Sequence, residues 1–284
     1  MPRISPLAVI DPKAAIGRDV AIGPFCVIGP EVQIGDACEL ANNVTLEGRT
    51  RLGERNVLYP NVVVGAAPQD LKYNGEPTET SLGPRNVLRE NVTVHRGTAL
   101  GRGRTDIGSG NLLMAGSHVA HDCVLGDDIL LGNGTLLAGH VVVEDGAVLS
   151  GLVGIHHFVT VGRLSYVAGL TAVRRDVPPY VKFSGDPNRV RGLNAEGLRR
   201  RGLGADDVAA LKRAYRLLFG PNADHALAHR LDELQASGPL SEHVAYLCAF
   251  LRRSLAGRFG RYLETHRQDG REDRRYRRPA EVRE

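Results

Sequence analysis

Residues 9–34 read VIDPKAAIGRDVAIGPFCVIGPEVQI, and the aliphatics Ile10, Ile16, Ile22, Ile28 and Ile34 fall six residues apart. The beat continues without a miss through Leu40, Leu46, Leu52, Leu58 and Val64. After an interruption it returns at Leu82, Leu88 and Val94, slips once, and then runs from Ile107 through Leu113, Val119 and Leu125 to Val173. An α-helix has no such period, and a half-buried strand would alternate at every second residue. A fixed six-residue unit is the mark of a hexapeptide β-helix, in which each unit is one short side of a coil.

The unit has a physical logic. Two residues before each aliphatic stands a small or modest residue, as at Val20, Cys26, Val32, Cys38 and Val44. That pair points two side chains inward from a short strand. A glycine often follows the aliphatic (Gly17, Gly23, Gly29, Gly35, Gly53) and is expected to let the chain turn where φ is unfavourable for other residues. Three units make a triangular coil, and coils stack at roughly 4.8 Å, so the repeat predicts about eight coils.

With 284 residues, the chain accommodates one large domain and a smaller one. Aromatics are 5% and tryptophan is absent, which suits a core of stacked aliphatics. A formal charge of +4 is too small to argue for nucleic acid, and fits an acidic protein partner or a phosphorylated substrate. No apolar run nears the roughly 18 residues of a membrane span. MPRISPLAVIDP lacks the apolar stretch of a signal peptide, so a cytoplasmic location is expected. Cys26, Cys38 and Cys123 fall at the small inward position and Cys248 in a helical pattern; without a C-x-x-C pair they read as buried small hydrophobes.

The expected β-helix spans 1–190, with loop insertions near 66–81 and 97–106. Insertions in a solenoid leave from one corner, often on the binding face. Gln69, Asp70 and Lys72 form a polar cluster in the first. DVPPYV (176–181) is expected to end the ladder, because proline lacks the N–H. An α-helical domain follows over 191–266. Asn194 can cap a short helix ending at Gly202, and three further helices use Val208, Leu211, Tyr215 and Leu218, then Leu227, Leu231 and Leu234, then Val244, Leu247 and Leu251. The charged stretch 267–284 reads as disordered.

Of ten histidines, His118, His121, His140, His156 and His157 lie within 40 residues, and none takes the inward aliphatic position. On stacked coils, His121 and His157 are two coils apart on one edge, and His140 lies one coil and one residue from His121. Such a cluster can be solvated surface, a metal site, or a general acid–base centre. Asp122, next to His121, could orient the imidazole.

GPFCVIGP, PQDLKYNGEPT, VHRGT, NLLMAGSHVAHDC, TLLAGH, GIHHF, DVPPYV and NAEGLRRRG together resemble the acyl-carrier-protein–UDP-N-acetylglucosamine O-acyltransferases of lipid A biosynthesis. The resemblance covers about residues 5 to 220. It implies a left-handed parallel β-helix, a triangular prism followed by a small α-helical domain, assembled as a homotrimer. It implies transfer of an (R)-3-hydroxyacyl chain from acyl-carrier protein to the 3-hydroxyl of UDP-N-acetylglucosamine without a metal or bound cofactor; the phosphopantetheine-linked chain is a substrate. By resemblance His121 is the catalytic base, Asp122 orients it, and the Gly139 N–H donates to the oxyanion. Gln69, Asp70, Lys72, His118, His140 and His156 match substrate contacts, and His157 stands where the family usually has Gln, beside the donor. Asn194, Glu196, Arg200 and Arg201 match the nucleotide-holding helix, and Gly169 the position that sets acyl-chain length, where a glycine leaves room for a longer chain. Tyr166 is a bulky departure beside it, and Pro187 replaces a frequent histidine. Two alternatives stand beside this reading: a related N-acyltransferase acting on a 3-amino or other amino sugar nucleotide, and a zinc-dependent trimer of the γ-carbonic anhydrase type.

Overall fold

The computed structural model describes residues 3–220 and 226–267. Of the stretch 267–284 expected to be disordered, Arg267 is described and is held by contacts with Glu264 and His157, and the rest lies outside the described residues. The six-residue beat becomes a left-handed parallel β-helix with three flat faces. Face A begins at Arg3–Ile4, face B at Val9–Ile10 and face C at Ala15–Ile16, and the chain visits them in that order. Each rung pairs in register with the next, Ile22 with Leu40 and Leu40 with Leu58 on face A. Face B has nine strands, face C eight and face A eleven, two of which lie beyond the repeat.

The aliphatic of each unit and the residue two before it form the core. Val20, Cys26, Cys38 and Val44 are fully buried, as are Leu46, Leu88, Val119 and Leu137. Each buried thiol in the prism donates to a carbonyl of the next coil, as Cys26 Sγ does to Ala41 at 2.9 Å. Burial pushes the Cys123 thiol up to about 12. The same inner column carries Asn56, Asn86 and Asn111, whose side chains are stacked and hydrogen-bonded from coil to coil.

The corners correct the expectation for glycine. Left-handed backbone falls two residues after Gly17, Gly23, Gly35 and Gly53, at Asp19 (φ 55), Phe25 (φ 60), Ala37 (φ 56) and Arg55 (φ 57). The glycines serve close stacking instead. A Cβ on Gly35 would lie 2.6 Å from the Gly53 carbonyl carbon, and one on Gly53 2.7 Å from that of Gly83. Most corners therefore have a first residue, whose N–H the ladder does not use, and a second, in the left-handed region. Pro24, Pro30 and Pro60 occupy first-corner positions, where a missing donor costs nothing.

That geometry also corrects the expected end of the ladder. Pro179 is a first-corner residue, so the prolines do not stop pairing. Val181–Ser184 adds a further parallel rung to face A, and Arg189–Leu193 returns antiparallel against it. Four helices follow: α1 (Ala195–Arg200), α2 (Ala205–Phe219), α3 (Leu227–Ala236) and α4 (Glu242–Ala256). Asn194 caps α1 by accepting from the Gly197 N–H at 3.3 Å, and Gly202 takes the left-handed turn after it. Leu198, Val208, Leu211, Leu218, Leu231, Val244, Leu247 and Leu251 pack into one bundle core with Tyr180, which joins the bundle to the end of the prism.

The insertions leave the solenoid at 67–78 and 96–103. Glu79–Leu82 and Arg104–Ile107 are already strands of face C, paired with each other and stacked on Arg49–Leu52. Their inner threonines Thr50, Thr80 and Thr105 are fully buried in a column. Both loops emerge at the corner between faces B and C, which is also the corner that carries the histidines.

Candidate active site

Three successive coils turn that corner at His121–Asp122, Gly139–His140 and His157–Phe158. His121, Gly139 and His157 are first-corner residues and form one column. Asp122 (φ 60), His140 (φ 62) and Phe158 (φ 62) are second-corner residues and form the next. The stack converts a separation of 18 residues into direct contact. The His121 ring lies across Gly139, where a Cβ would come within 2.5 Å of His121 Cε1 and 2.6 Å of Nε2. The His140 ring stands edge-on to His121 at 5.1 Å between centroids and stacks on Phe158 at 4.4 Å.

Asp122 is the most constrained of these groups, at 1% exposure. Its carboxylate accepts the Thr98 hydroxyl at 2.6 Å, the Arg102 N–H at 2.8 Å, the Thr98 N–H, and His121 Nδ1 at 2.9 Å. Burial alone would raise its pKa, but hydrogen bonds from His121 and Thr98 outweigh burial and hold the carboxyl below its usual range. A carboxylate in that state fixes the imidazole tautomer with the proton on Nδ1, which leaves Nε2 an acceptor beside Gly139. The second insertion thus clamps Asp122 from behind, through the Thr98 hydroxyl and the main-chain N–H groups of Thr98 and Arg102.

The Gly139 N–H has no acceptor among the described residues, as its corner position dictates. An unused donor lying under a histidine ring is free to accept a developing negative charge as its hydrogen-bond partner. His121, Asp122 and His140 also bring one ligating atom each within 4.8 Å of one another, a spacing a divalent cation could use. The hydrogen bonds from Thr98 and Arg102 already occupy the carboxylate in the way an orienting group requires.

The outer side of face B below this corner is an open groove of about 960 Å³. Gln69, Asp70 and Lys72 line one end of it, with Lys72 Nζ 3.5 Å from Asp70 Oδ2. His118, His140, His156 and His157 line it as well. His118 Nδ1 is 2.7 Å from Thr93 Oγ1, and His156 Nδ1 is 3.1 Å from the His157 carbonyl. Burial lowers the pKa of His118, helped by His121, and pushes His157 down to about 4, helped by His156 and Arg267.

Two groove residues escaped the sequence reading. His95 is 6% exposed, packs edge-on against His118 at 4.7 Å, and is held at about 4 by burial and then by His118 and His121. Its place could be inferred only by pairing Val94 with Val119 across an irregular coil. Arg267 enters from the far end of the chain and had no signal beyond its charge.

The remaining expected residues lie away from this groove within one chain. Asn194 is 8% exposed and serves as helix cap, its Nδ2 donating to the Leu164 carbonyl at 3.0 Å. Glu196 pairs with Arg199 and Arg200, each at 3.0 Å, and Arg201 pairs with Asp128 at 3.1 Å on the corner between faces C and A. Gly169 sits on the corner between faces A and B, close over the Gly151 carbonyl, and Tyr166 nearby is hydrogen-bonded to Ser150 at 2.8 Å.

The family profile described as "Udp N-acetylglucosamine O-acyltransferase; Domain 2" matches residues 176–258, and the bacterial transferase hexapeptide profile matches residues 13–48. An acyl-(acyl-carrier-protein)–UDP-N-acetylglucosamine O-acyltransferase of Anaeromyxobacter sp. (strain Fw109-5) is 44% identical over 212 residues, covering 75% of this chain and 82% of that protein. The same-named enzyme of Verminephrobacter eiseniae (strain EF01-2) is 43% identical over 75% of this chain and 82% of its own length. Among solved structures, the UDP-N-acetylglucosamine acyltransferase from Bacteroides fragilis 9343 superposes with a TM-score of 0.84 at 39% identity, covering 87% of this chain and 96% of that one. That from Campylobacter jejuni gives a TM-score of 0.83 at 34% identity, covering 88% and 96%. With this identity sustained over three quarters of its length, the chain belongs to the acyl-(acyl-carrier-protein)–UDP-N-acetylglucosamine O-acyltransferase family.

Proposed function

We propose that the protein transfers an (R)-3-hydroxyacyl group from acyl-carrier protein to the 3-hydroxyl of UDP-N-acetylglucosamine, in lipid A biosynthesis, with His121 as general base. The observation that carries this is the His121 Nδ1–Asp122 Oδ2 contact of 2.9 Å with Nε2 left beside Gly139. The sugar hydroxyl gives its proton to His121 Nε2 as its oxygen attacks the thioester carbonyl. Negative charge moves to the carbonyl oxygen, which accepts from the Gly139 N–H. The intermediate collapses to the ester and expels the pantetheine thiolate, which takes the proton back from His121. Asp122 stays ionised throughout and stabilises the imidazolium. Base, oxyanion donor and groove suffice, so the reading needs no metal or bound cofactor.

Gln69, Asp70 and Lys72 suit the hydroxyls of the sugar, and His118, His140 and His156 complete that wall. Asn194, Glu196, Arg200 and Arg201 reach a groove only if it belongs to a neighbouring copy, and paired guanidinium donors suit a diphosphate. The active form is therefore a homotrimer with sites between prisms. Gly169 leaves room along the A–B corner for a long acyl chain, and Tyr166, tied to Ser150, bounds it. No helix among the described residues is long and apolar enough to cross a membrane, and a cytoplasmic location fits an enzyme whose donor is acyl-carrier protein.

The test is transfer from 3-hydroxyacyl-carrier proteins of several lengths to UDP-N-acetylglucosamine and to its 3-amino analogue. Transfer to the hydroxyl acceptor is expected, and His121→Ala should lower kcat by about 10²–10⁴-fold with the fold intact. A folded His121→Ala enzyme with full transfer overturns the role of His121. Preference for the amine supports the N-acyltransferase alternative, and stoichiometric zinc in an inactive purified protein supports the hydratase.

A further inference from the structure

The groove has two chemically different ends. Asp70, Gln69 and Lys72 stand at one, a carboxylate, an amide and an ammonium such as sugar hydroxyls require. At the other, two coils further along the first-corner column, the walls turn apolar with Leu136, Ala172 and Val173, and two arginines line them, Arg174 and Arg267, of which Arg267 reaches the first-corner column. Its Nη1 is 3.4 Å from His157 Nε2, and its Cζ lies 5.3 Å from the centre of the Phe158 ring.

Arg267 is held there by a built latch. After α4 the chain turns at Gly257 and lies back across the end of the prism. Asp176 accepts the Tyr262 N–H at 3.0 Å with one oxygen and the Thr160 N–H at 2.8 Å with the other, so it ties the segment to face C. The Asp176 N–H donates to the Gly260 carbonyl at 2.8 Å, and Arg261 donates to the Arg174 carbonyl at 2.8 Å. Glu264 receives Arg261 at 3.2 Å and Arg267 at 3.5 Å. Asp176, Arg261 and Glu264 are 5%, 7% and 4% exposed. Burying three ionisable groups is costly and tolerates little displacement, so the segment delivers Arg267 to one place.

We propose that Arg267 is a positioning residue for the acyl donor, its guanidinium donating to an amide carbonyl of the pantetheine arm. This rests on the acyltransferase reading above. The hydroxyl and the thioester carbonyl meet between His121 and Gly139. The sugar extends toward Asp70 and Lys72, so the thiol side of the donor leaves past His157. Arg267 contacts His157, which follows the oxyanion donor by one coil spacing of about 5 Å, so its guanidinium stands on the scale of the reach from a thioester to its first amide. A guanidinium offers several donors to a neutral carbonyl, whereas the diphosphate of the sugar nucleotide lies on the other side of the reacting atoms.

The experiment is steady-state kinetics of the full chain with Arg267→Ala and Arg267→Lys, together with inhibition by 3-hydroxyacyl-pantetheine, which lacks both carrier protein and phosphate. Arg267→Ala should raise the KM for acyl-carrier protein and the inhibition constant of acyl-pantetheine each by about tenfold, the loss of one charge-assisted hydrogen bond. The kcat and the KM for UDP-N-acetylglucosamine should stay within about twofold, and Arg267→Lys should recover part of the loss. Unchanged donor KM, a rise in the sugar-nucleotide KM instead, or a donor effect absent with acyl-pantetheine overturns the assignment. A wild-type enzyme that neither transfers nor binds acyl-carrier protein overturns the functional reading and Arg267's role with it.

Discussion

At the scale of single residues, Gly139 separates fit from backbone freedom. Its φ is not in the left-handed region, so alanine is acceptable to the main chain there. The obstacle is the His121 ring, 2.5 Å from where the Cβ would sit. Gly139→Ala should keep its N–H and its thermal stability while displacing the imidazole. A shift of about 1 Å in a catalytic base costs on the order of 10²-fold in kcat. Kinetics and a melting curve on the same preparation check this; an active alanine variant would mean that the ring need not lie over residue 139. The first-corner column itself is legible in the sequence, because His121, Gly139 and His157 follow the 18-residue count. His95 is not, since the count fails where the coils widen: Asn86 bonds back to Asn56 across 30 residues, and Asn111 to Asn86 across 25. The role of the 98–102 segment is equally hidden, because beside the Thr98 hydroxyl it acts through main-chain donors that any residue would supply.

At the scale of elements, the widened coils need an internal fastening, and the asparagine column provides it. Asn86 donates through Nδ2 to the Gly83 carbonyl at 2.8 Å and the Gly108 carbonyl at 2.9 Å, and its oxygen accepts the Asn111 N–H at 2.9 Å. It is fully buried. Asn86→Ala orphans these partners away from water, and each buried group left unpaired costs about 1–3 kcal/mol. A loss of roughly 3 kcal/mol or more in denaturant unfolding is expected, several times that of a surface Asn→Ala control. The hexad pattern marks the inward position and cannot say that an amide would fill it. The expected stop at the prolines fails for a related reason. Proline forbids a ladder donor only within a strand, and the sequence does not show that Pro179 falls on a corner whose N–H is idle.

At the scale of the whole molecule, the proposed trimer makes each groove one half of a site. Phe25, Leu152 and Leu170 are 60%, 63% and 80% exposed on the corner between faces A and B, and Leu136 is 53% exposed on face B. Leu136, Leu152 and Leu170, bare aliphatics on neighbouring coils near the open groove, call for a covering surface. Arg200 and Arg201 meanwhile stand near the opposite corner with no substrate wall of their own. Three copies around a threefold axis make heterologous contacts, so each groove can meet the neighbour's α1. Mixing inactive subunits tests this directly. His121→Ala chains and Arg200→Ala/Arg201→Ala chains, each purified as an inactive or nearly inactive trimer, are unfolded and reassembled together at equal amounts. If every site takes its base from one chain and its arginines from the next, random assembly makes about a quarter of the sites intact, and activity returns to about a quarter of wild type. If one chain supplies both, no intact site forms at any mixing ratio. Recovery that rises and falls with the ratio, peaking at equal amounts, therefore assigns α1 to the neighbouring groove, and a flat, inactive series assigns it to its own chain.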